Sequence, residues 1–200
     1  MIRLLLISLL FLLSFATNAQ SDWKLMKDRN GIKVYMREAE NSKFKSIRVT
    51  CTLEGTYDKL IAILTNVEHQ PDWVYRAKAT KLLKKNSPTD LMYYTETSMP
   101  WPMDNRDAVV HLRINRDNLP QSLSVSAKSE PNYLKTVNGL VRIPFSEANW
   151  QVTMNNANTL NVDYTLQVNP GGQLPAWLVN TFADKGPYES FKKLAELLKR

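Results

Sequence analysis

Apolar and polar residues alternate with a period of two through most of the second half of the chain, which is typical of β-strands. The clearest segment is 160–168, where Leu, Val and Tyr at even positions alternate with Asn, Asp, Thr and Gln at odd positions. The pattern predicts strands at about residues 79–84, 91–97, 106–115, 123–128, 133–142, 148–154 and 160–168. Because short turns rich in Asn, Ser and Pro connect them, we expect an antiparallel meander with one dry and one wet face.

The region before residue 77 predicts a β-hairpin and short helices. Residues 32–37 and 44–53 both alternate, and a polar connector separates them, which is typical of a hairpin. Thr56 is a suitable N-cap for a helix over residues 57–66, where apolar side chains recur at helical spacing. Two further short helices are expected, one at residues 21–29 and one after the connector at 68–74.

The last part of the chain predicts a long amphipathic helix. Pro175 is suited to the first turn of a helix, and the apolar pattern continues to about residue 199. A kink or loosened segment is expected at Gly186 and Pro187, because proline removes one helix hydrogen bond and clashes with the preceding turn. The apolar side consists of Leu174, Trp177, Leu178, Phe182, Tyr188, Phe191, Leu194 and Leu198.

Together these elements predict an α+β fold around a hydrophobic cavity. A single antiparallel sheet of about nine strands is too wide to stay flat, so we expect twist to curve it. The long C-terminal helix is the only predicted element large enough to cover its dry concave side, and such an arrangement tends to leave a hollow. Bulky residues assigned to the inward face would line this cavity or simply fill a core: Met92, Tyr94, Trp150, Met154 and Tyr164.

The first 19 residues predict a secretory signal peptide. Arg3 supplies a positive start, residues 4–16 are apolar, and small residues at positions 17–19 suit cleavage after Ala19. The apolar run is shorter than the ~20 residues that span a bilayer. We therefore expect a signal peptide at 1–19, one domain at 20–200, and a periplasmic or secreted protein.

The formal net charge is +7, and the basic residues are spread along the chain. Two clusters would suit transient contact with an anionic membrane surface, although solvated lysine-rich faces have the same composition. The clusters are Lys78, Lys81, Lys84 and Lys85, and Lys192, Lys193, Lys199 and Arg200. Export and the lack of a recognisable motif disfavour nucleic acid as a partner. The lone Cys51, in phase with apolar neighbours, is expected to be buried.

A proline-bracketed loop at residues 99–104 leads into the predicted strand 106–115. Side chains alternate along a strand, so Arg106 shares a face with the apolar residues at 108, 110, 112 and 114. The opposite set, which starts at Asp107, is expected to face solvent. A buried arginine needs a carboxylate, a polar ligand group or ordered water as its partner. The alternative is an arginine that reaches past its apolar neighbours to solvent.

The sequence lacks the signatures of common catalytic and metal sites. Its two histidines, His69 and His111, lie on a connector and on the predicted wet face, and no HExxH, GxSxG, paired-cysteine or glycine-rich phosphate motif occurs. We expect no cofactor, no metal ion and no enzymatic activity. Two alternatives stay open: general acid-base chemistry by Glu96 with Tyr94, and an exported adaptor that binds a protein and has no cavity.

Four blocks of the sequence carry a family resemblance. They are Trp23-Lys24-Leu25 through Gly31-Ile32-Lys33-Val34-Tyr35, the segment around Trp73, Pro100-Trp101-Pro102-Met103-Asp104-Asn105-Arg106-Asp107, and Leu174-Pro175-Ala176-Trp177-Leu178-Val179-Asn180. The third block is the most specific, because proline, tryptophan, an Asn-Arg-Asp run and a strand occur together. The chain resembles the START family, the lipid-transfer domains related to the steroidogenic acute regulatory protein, and the signal peptide suggests a bacterial exported member.

The resemblance implies a helix-grip fold whose tunnel holds one lipid, sterol or similar hydrophobic molecule under a lid formed by the C-terminal helix and a neighbouring loop. By position, Arg106 matches the cavity arginine of family members with a buried polar pair, and Glu96, in the preceding strand, is its candidate partner. We expect a monomeric carrier, with an aromatase/cyclase on a related scaffold as the enzymatic alternative. The expected ligand-binding residues are Arg106, Glu96, Tyr94, Met92, Val110, Leu112, Trp150, Tyr164, Trp177, Leu178 and Phe182.

Overall fold

One open, curved antiparallel sheet packs around a C-terminal helix. The structure is a computed structural model that describes residues 23–39, 42–175, 179–180 and 183–200. The predicted helix-grip architecture is confirmed. The strands are β1 (Lys24–Arg29), β2 (Ile32–Ala39), β3 (Ser42–Glu54), β4 (Ala77–Ser87), β5 (Asp90–Thr97), β6 (Asn105–Asn115), β7 (Ser122–Ser129), β8 (Leu140–Arg142), β9 (Phe145–Asn156) and β10 (Thr159–Asn169). Their order in the sheet is β1-β2-β3-β10-β9-β7-β6-β5-β4, and the short β8 pairs with β6 in parallel.

The helices whose bounds the structure describes are α1 (Tyr57–Thr65), a 3₁₀ helix (Val67–Asp72) and α2 (Lys185–Lys199). Helix α1 begins where the sequence predicts, because the Thr56 hydroxyl accepts a hydrogen bond from the Lys59 backbone N–H at 3.3 Å. The chain makes a turn at Ala183 and Asp184, just before α2. The predicted interruption at Gly186 and Pro187 falls instead in the first turn of α2, where proline is tolerated. None of these helices has the length and apolarity needed to cross a bilayer.

The predicted helix at residues 21–29 is wrong, because residues 24–29 form strand β1. This strand pairs with β2, and Arg29 lies opposite Ile32 across a tight turn. Asn30 and Gly31 have φ angles of +54° and +72°, the left-handed conformation that two-residue hairpin turns require. The Asn-Gly pair therefore connects two strands and does not end a helix.

The predicted strand at 133–142 is also largely wrong, since only its last three residues form a strand, β8. The residues before β8 are held by Arg142 instead of by a strand partner. Its guanidinium donates hydrogen bonds to the backbone carbonyls of Pro131 at 2.7 Å, Leu134 at 2.9 Å and Lys135 at 3.2 Å. These bonds satisfy the three carbonyls without a strand partner, so the segment forms a loop.

The concave face of the sheet carries the core. Strand register places Tyr93 opposite Val110, Leu91 opposite Leu112, and Trp150 opposite Tyr164. The predicted inward phases of β3, β6 and β10 are confirmed. Helix α2 covers this face with buried residues at helical spacing: Tyr188, Phe191, Leu194 and Leu198.

Cys51 lies within this core, on β3, and is 8% exposed. Burial raises the pKa of its thiol to about 12, so the nucleophilic thiolate is scarce at neutral pH. The prediction that Cys51 is buried is confirmed.

Candidate functional site

The space between the curved sheet and α2 is partly empty and consists of two neighbouring pockets. The loop pocket, of about 220 Å³, lies where strand ends meet the loop at residues 98–103. The helix pocket, of about 310 Å³, lies under the first turns of α2. Tyr75 and Thr97 line both pockets, so the two spaces are adjacent. The helix pocket is at the lower end of the range for small-molecule sites, ~300–1,000 Å³, and the loop pocket alone is below that range. The adaptor alternative, which predicts no cavity, is therefore contradicted.

The helix pocket has an aromatic wall built from the sheet and α2. The rings of Trp150, Tyr164 and Phe191 contact one another, with centroid separations of 4.9 to 5.2 Å. Leu112 lines the same pocket, while Val110 lies in the buried core on the same face of β6. Leu112, Trp150 and Tyr164, which the sequence pattern assigns to the inward face, therefore line the helix pocket.

A few polar side chains lie within this apolar wall. Gln70, from the 3₁₀ helix, is 6% exposed and lines the helix pocket together with Tyr93. Burial raises the pKa of Tyr93, while a hydrogen bond from Gln70 opposes that shift. Burial also raises the pKa of Tyr164. All three side chains are therefore neutral at physiological pH, and they can hydrogen-bond a neutral oxygen of a guest molecule.

Arg106 begins the inward face of β6 and lines the loop pocket, where it is 4% exposed. Its Nη1 donates a hydrogen bond to the backbone carbonyl of Asp104, and its Nε has no partner among the described residues. Burial lowers the pKa of this guanidinium, and the charge of Asp104 partly opposes the shift. Arginine nevertheless stays protonated in proteins, so the pocket contains a buried, incompletely satisfied cation.

Glu96 is not the partner of Arg106, contrary to the sequence-based expectation. It lies opposite Asp107 in the β5–β6 pair, on the other face of the sheet from Arg106. Its carboxylate accepts hydrogen bonds from Lys78 at 2.9 Å and from Asn105 at 2.8 Å. These two bonds lower the pKa of Glu96, with Lys78 contributing most.

The placement of Met92 and Tyr94 inside the cavity is wrong for the same reason. Register places them opposite His111 and Val109, which lie on the outer face of β6. The residues of β5 that face the hollow are the odd-numbered ones, from Leu91 to Thr97. Residues 91–94 are all apolar, so alternation along the sequence does not define which of them point inward.

The outer face of β6 is not fully solvated, which corrects the prediction for the Asp107 set. Asp107 is 1% exposed, and its carboxylate accepts two hydrogen bonds from Arg142, at 2.8 and 2.9 Å. Arg142 also holds the carbonyls of the loop before β8, as described above. The ion pair therefore fastens that loop over the outer face of β6.

Three predicted ligand-binding residues, Trp177, Leu178 and Phe182, lie outside the described residues. Sequence reasoning also missed several residues that line the hollow: Gln70, Tyr75, Tyr93, Thr97, Met99 and Met103. Two of them, Tyr93 and Thr97, are odd-numbered residues of β5 and would have been identified if the odd-numbered side of that strand had been assigned to the hollow. The loop residues depend on tertiary contacts and have no periodic signal. Within the described part of the chain, no group of three or more His, Cys, Asp or Glu is placed to hold a metal ion.

Comparison with known proteins identifies relatives over most of the chain. The family model of the START domain matches residues 9–200. An uncharacterized protein of Pseudomonas aeruginosa is 30% identical over 173 residues, which cover 86% of this chain and 85% of that protein. The phosphatidylcholine transfer protein of Mus musculus is 27% identical over 177 residues, covering 83% of this chain and 78% of that protein.

Comparison with solved structures agrees with the comparison of sequences. A fragment of a STAR-related lipid transfer protein from Xanthomonas axonopodis has a TM-score of 0.82 and 31% identity, and the match covers 90% of this chain and 99% of the fragment. An aromatase/cyclase from a Streptomyces species has a TM-score of 0.52 at 9% identity, covering 76% of this chain and 90% of the other. That second likeness concerns the fold alone.

Proposed function

The chain belongs to the START domain family, and on this basis we propose that it binds one hydrophobic ligand, such as a lipid or sterol, in the hollow and carries it. The observation that carries this proposal is the hollow itself, which lies between the sheet and α2 and has a mostly apolar wall. Relatives named as lipid-transfer proteins align over most of the chain. The protein acts in this account as a monomer and as a carrier without catalytic activity.

We propose that the ligand lies across both pockets. Its apolar part packs against the aromatic wall of Trp150, Tyr164 and Phe191, and its polar end reaches Arg106. Tyr75 and Thr97 line both pockets, and they support this continuous path. The ligand supplies the hydrogen-bond acceptors that the buried guanidinium lacks among the described residues.

The proposed entrance lies between the start of α2 and the loop at residues 73–76. The Tyr75 N–H donates to the Ser190 hydroxyl at 2.9 Å, and a Cβ on Gly186 would lie 3.3 Å from the Tyr75 ring. The hydrogen bond and the close approach of the Gly186 backbone to the Tyr75 ring close the side of the helix pocket. Movement of the first turn of α2 away from Tyr75 would open it, in accord with a helical lid.

We further propose that exchange occurs at a membrane of the cell envelope or outside the cell, after export by the signal peptide. Trp101, at the tip of the loop beside the loop pocket, is 93% exposed, and an exposed tryptophan suits the interface of a bilayer. The lysines of β4 and α2 are exposed as well and would attract anionic lipids. The aromatic loop would place the loop pocket against the bilayer.

The proposal is tested by a lipid-transfer assay between donor and acceptor vesicles, with a variant that fills the hollow. Ala148 of β9 lines the helix pocket, whereas Asn149, its neighbour, faces outward and is exposed. Ala148→Phe should lower lipid binding and transfer by about tenfold or more, because the ring occupies the space of the ligand. Asn149→Phe is the matched control and should transfer lipid at the rate of the unaltered protein.

Equal transfer by both variants would show that the hollow does not hold the ligand. The same assay separates a carrier from an enzyme: lipid extracted from the acceptor vesicles should be chemically unchanged. A converted product would contradict the carrier.

A further inference from the structure

The outer face of the sheet, on the side away from the hollow, carries a regular array of polar side chains. Strands β3, β10, β9 and β7 are neighbours in the sheet, and each contributes four outward side chains in matching register. Twelve of these sixteen side chains are hydroxyls or amides, so the array forms hydrogen bonds mostly without charge. We call this array the polar face; its members are Ser46, Arg48, Thr50, Thr52, Asn161, Asp163, Thr165, Gln167, Glu147, Asn149, Gln151, Thr153, Ser122, Ser124, Ser126 and Lys128.

The charged groups of the polar face compensate one another, although the whole chain has a formal net charge of +7. The Arg48 guanidinium donates a hydrogen bond to the Asp163 carboxylate at 2.9 Å. The Lys128 ammonium lies 2.9 Å from the Glu147 carboxylate. Each charge that the polar face carries on these four described strands is therefore paired. Nucleic acids and anionic lipids bind through free Lys and Arg side chains, so neither fits this surface.

Two shallow depressions follow β10 across the polar face. The first, of about 450 Å³, is lined by Thr52, Asn161 and Thr153, among others. The second, of about 220 Å³, is lined by Thr165 and Gln167, among others. Asn161 and Gln167 are six residues apart on one strand, so the two depressions together extend over ~20 Å. This path is long enough for an extended chain molecule.

An aromatic side chain lies at one end of this path. Trp23 lines the second depression together with Arg37, whose Cζ atom lies 4.6 Å from the centre of the Trp23 ring. An indole ring offers a flat apolar surface, against which the C–H side of a sugar ring packs. Hydroxyl and amide side chains both donate and accept hydrogen bonds, as sugar hydroxyls require.

We propose that the polar face binds a neutral glycan chain, which lies along β10 with one sugar ring against Trp23. The sugar hydroxyls replace water on the Ser, Thr, Asn and Gln side chains and form equivalent hydrogen bonds. A protein partner fits this face less well, because the centres of protein interfaces are enriched in aromatic residues, Met and Arg and depleted in Ser. The site is on the opposite side of the sheet from the hollow, so the inference does not rest on the proposed function.

Titration calorimetry on the full chain tests this inference with three neutral hexasaccharides: cellohexaose, maltohexaose and N-acetylchitohexaose. At least one of them should bind with a dissociation constant of about 1 mM or lower. An excess of heparin hexasaccharide should leave that affinity unchanged within about twofold, because the polar face has no free cation for sulfate groups.

Two variants locate the binding site. Trp23→Ala should weaken binding of the best neutral probe by about tenfold, through loss of the aromatic surface. Gln167→Ala should weaken it by about threefold, through loss of hydrogen bonds, and it tests the location even if Trp23→Ala fails to fold. The matched control is Tyr133→Ala, because Tyr133 is 48% exposed and lines neither depression. This control should bind the probe as the unaltered protein does.

Three results would overturn the inference. No binding of any neutral probe at about 10 mM would show that the polar face is not a glycan site. Displacement of the neutral probe by heparin would show that the surface binds anions. Equal affinity of all three variants would show that the sugar binds elsewhere. Each of these outcomes leaves lipid binding in the hollow as a separate question, which the vesicle assay decides.

Discussion

The consecutive residues Asn105, Arg106 and Asp107 perform three separate tasks. The strand turns Arg106 to the inner face of the sheet and its two neighbours to the outer face. Asn105 accepts a hydrogen bond from the Met99 N–H at 3.1 Å and donates to Glu96 at 2.8 Å, which fixes the loop at 99–104. Arg106 points into the loop pocket. Asp107 points outward and binds Arg142. One short motif therefore shapes the pocket rim, supplies a cation and fastens a covering loop.

Arg106 should reduce the stability of the empty protein. Its buried guanidinium has an unsatisfied Nε–H and no ion-pair partner among the described residues, which is unfavourable. Functional sites often retain such groups at the expense of stability. Arg106→Met is expected to raise the free energy of unfolding of the lipid-free protein by about 1 kcal/mol, measured by urea denaturation. A loss of more than about 1 kcal/mol would show that Arg106 is a structural residue.

Asp107, unlike Arg106, should increase the stability of the folded protein. Asp107→Ala leaves the Arg142 charge without its partner where both side chains are almost fully buried, at 1% and 8% exposure. We expect a loss of about 3 to 5 kcal/mol in the free energy of unfolding. Asp104→Ala, at an exposed position on the loop that precedes β6, is the control and should change stability by less than about 1 kcal/mol. Equal effects of the two variants would contradict the role of the buried pair.

At the scale of elements, the sequence predicts those strands in which only one face is apolar. Strand β10 has such an alternation, and both its bounds and its inward residues follow from the sequence. Strand β5 does not, because residues 91–94 are apolar at every position, and the side chains that face the hollow depend on the pairing with β6. The loop before β8 was similarly unpredictable, since its conformation depends on Arg142, which is distant in sequence from its partner Asp107.

The turn after β10 depends on close packing, which supplies a test at this scale. Gly171 has a φ of +70°, and a Cβ there would lie 2.8 Å from the Arg142 carbonyl oxygen. Gly139 has a similar φ of +79°, but a Cβ there would meet nothing within 4 Å. Gly139→Ala should therefore lose about 1 kcal/mol from backbone strain alone, measured by urea denaturation.

Gly171→Ala should lose clearly more, about 2 to 4 kcal/mol, because the contact with backbone is added to the same strain. Equal losses at both glycines would show that the turn after β10 relaxes freely and that its packing against Arg142 is unimportant.

At the scale of the whole molecule, the sequence predicts the architecture better than the site. A wide sheet with one dry face and one long amphipathic helix has few ways to bury its apolar surface, so the helix-grip fold and its hollow follow from the pattern. The residues around Arg106 follow from it only in part. The alternation of side chains along β6 predicts that Arg106 points inward. Glu96 is not its partner, because the packing of the strands places Glu96 on the other face of the sheet.

The central claim is that the hollow between the sheet and α2 holds a hydrophobic molecule. Native mass spectrometry of the protein isolated from lipid-rich cells tests it most directly, followed by extraction and identification of any bound molecule. The account predicts a one-to-one complex whose extra mass is lost on denaturation and belongs to a lipid or similar hydrophobic compound. A mass equal to that of the polypeptide alone, under conditions rich in lipid, would contradict it.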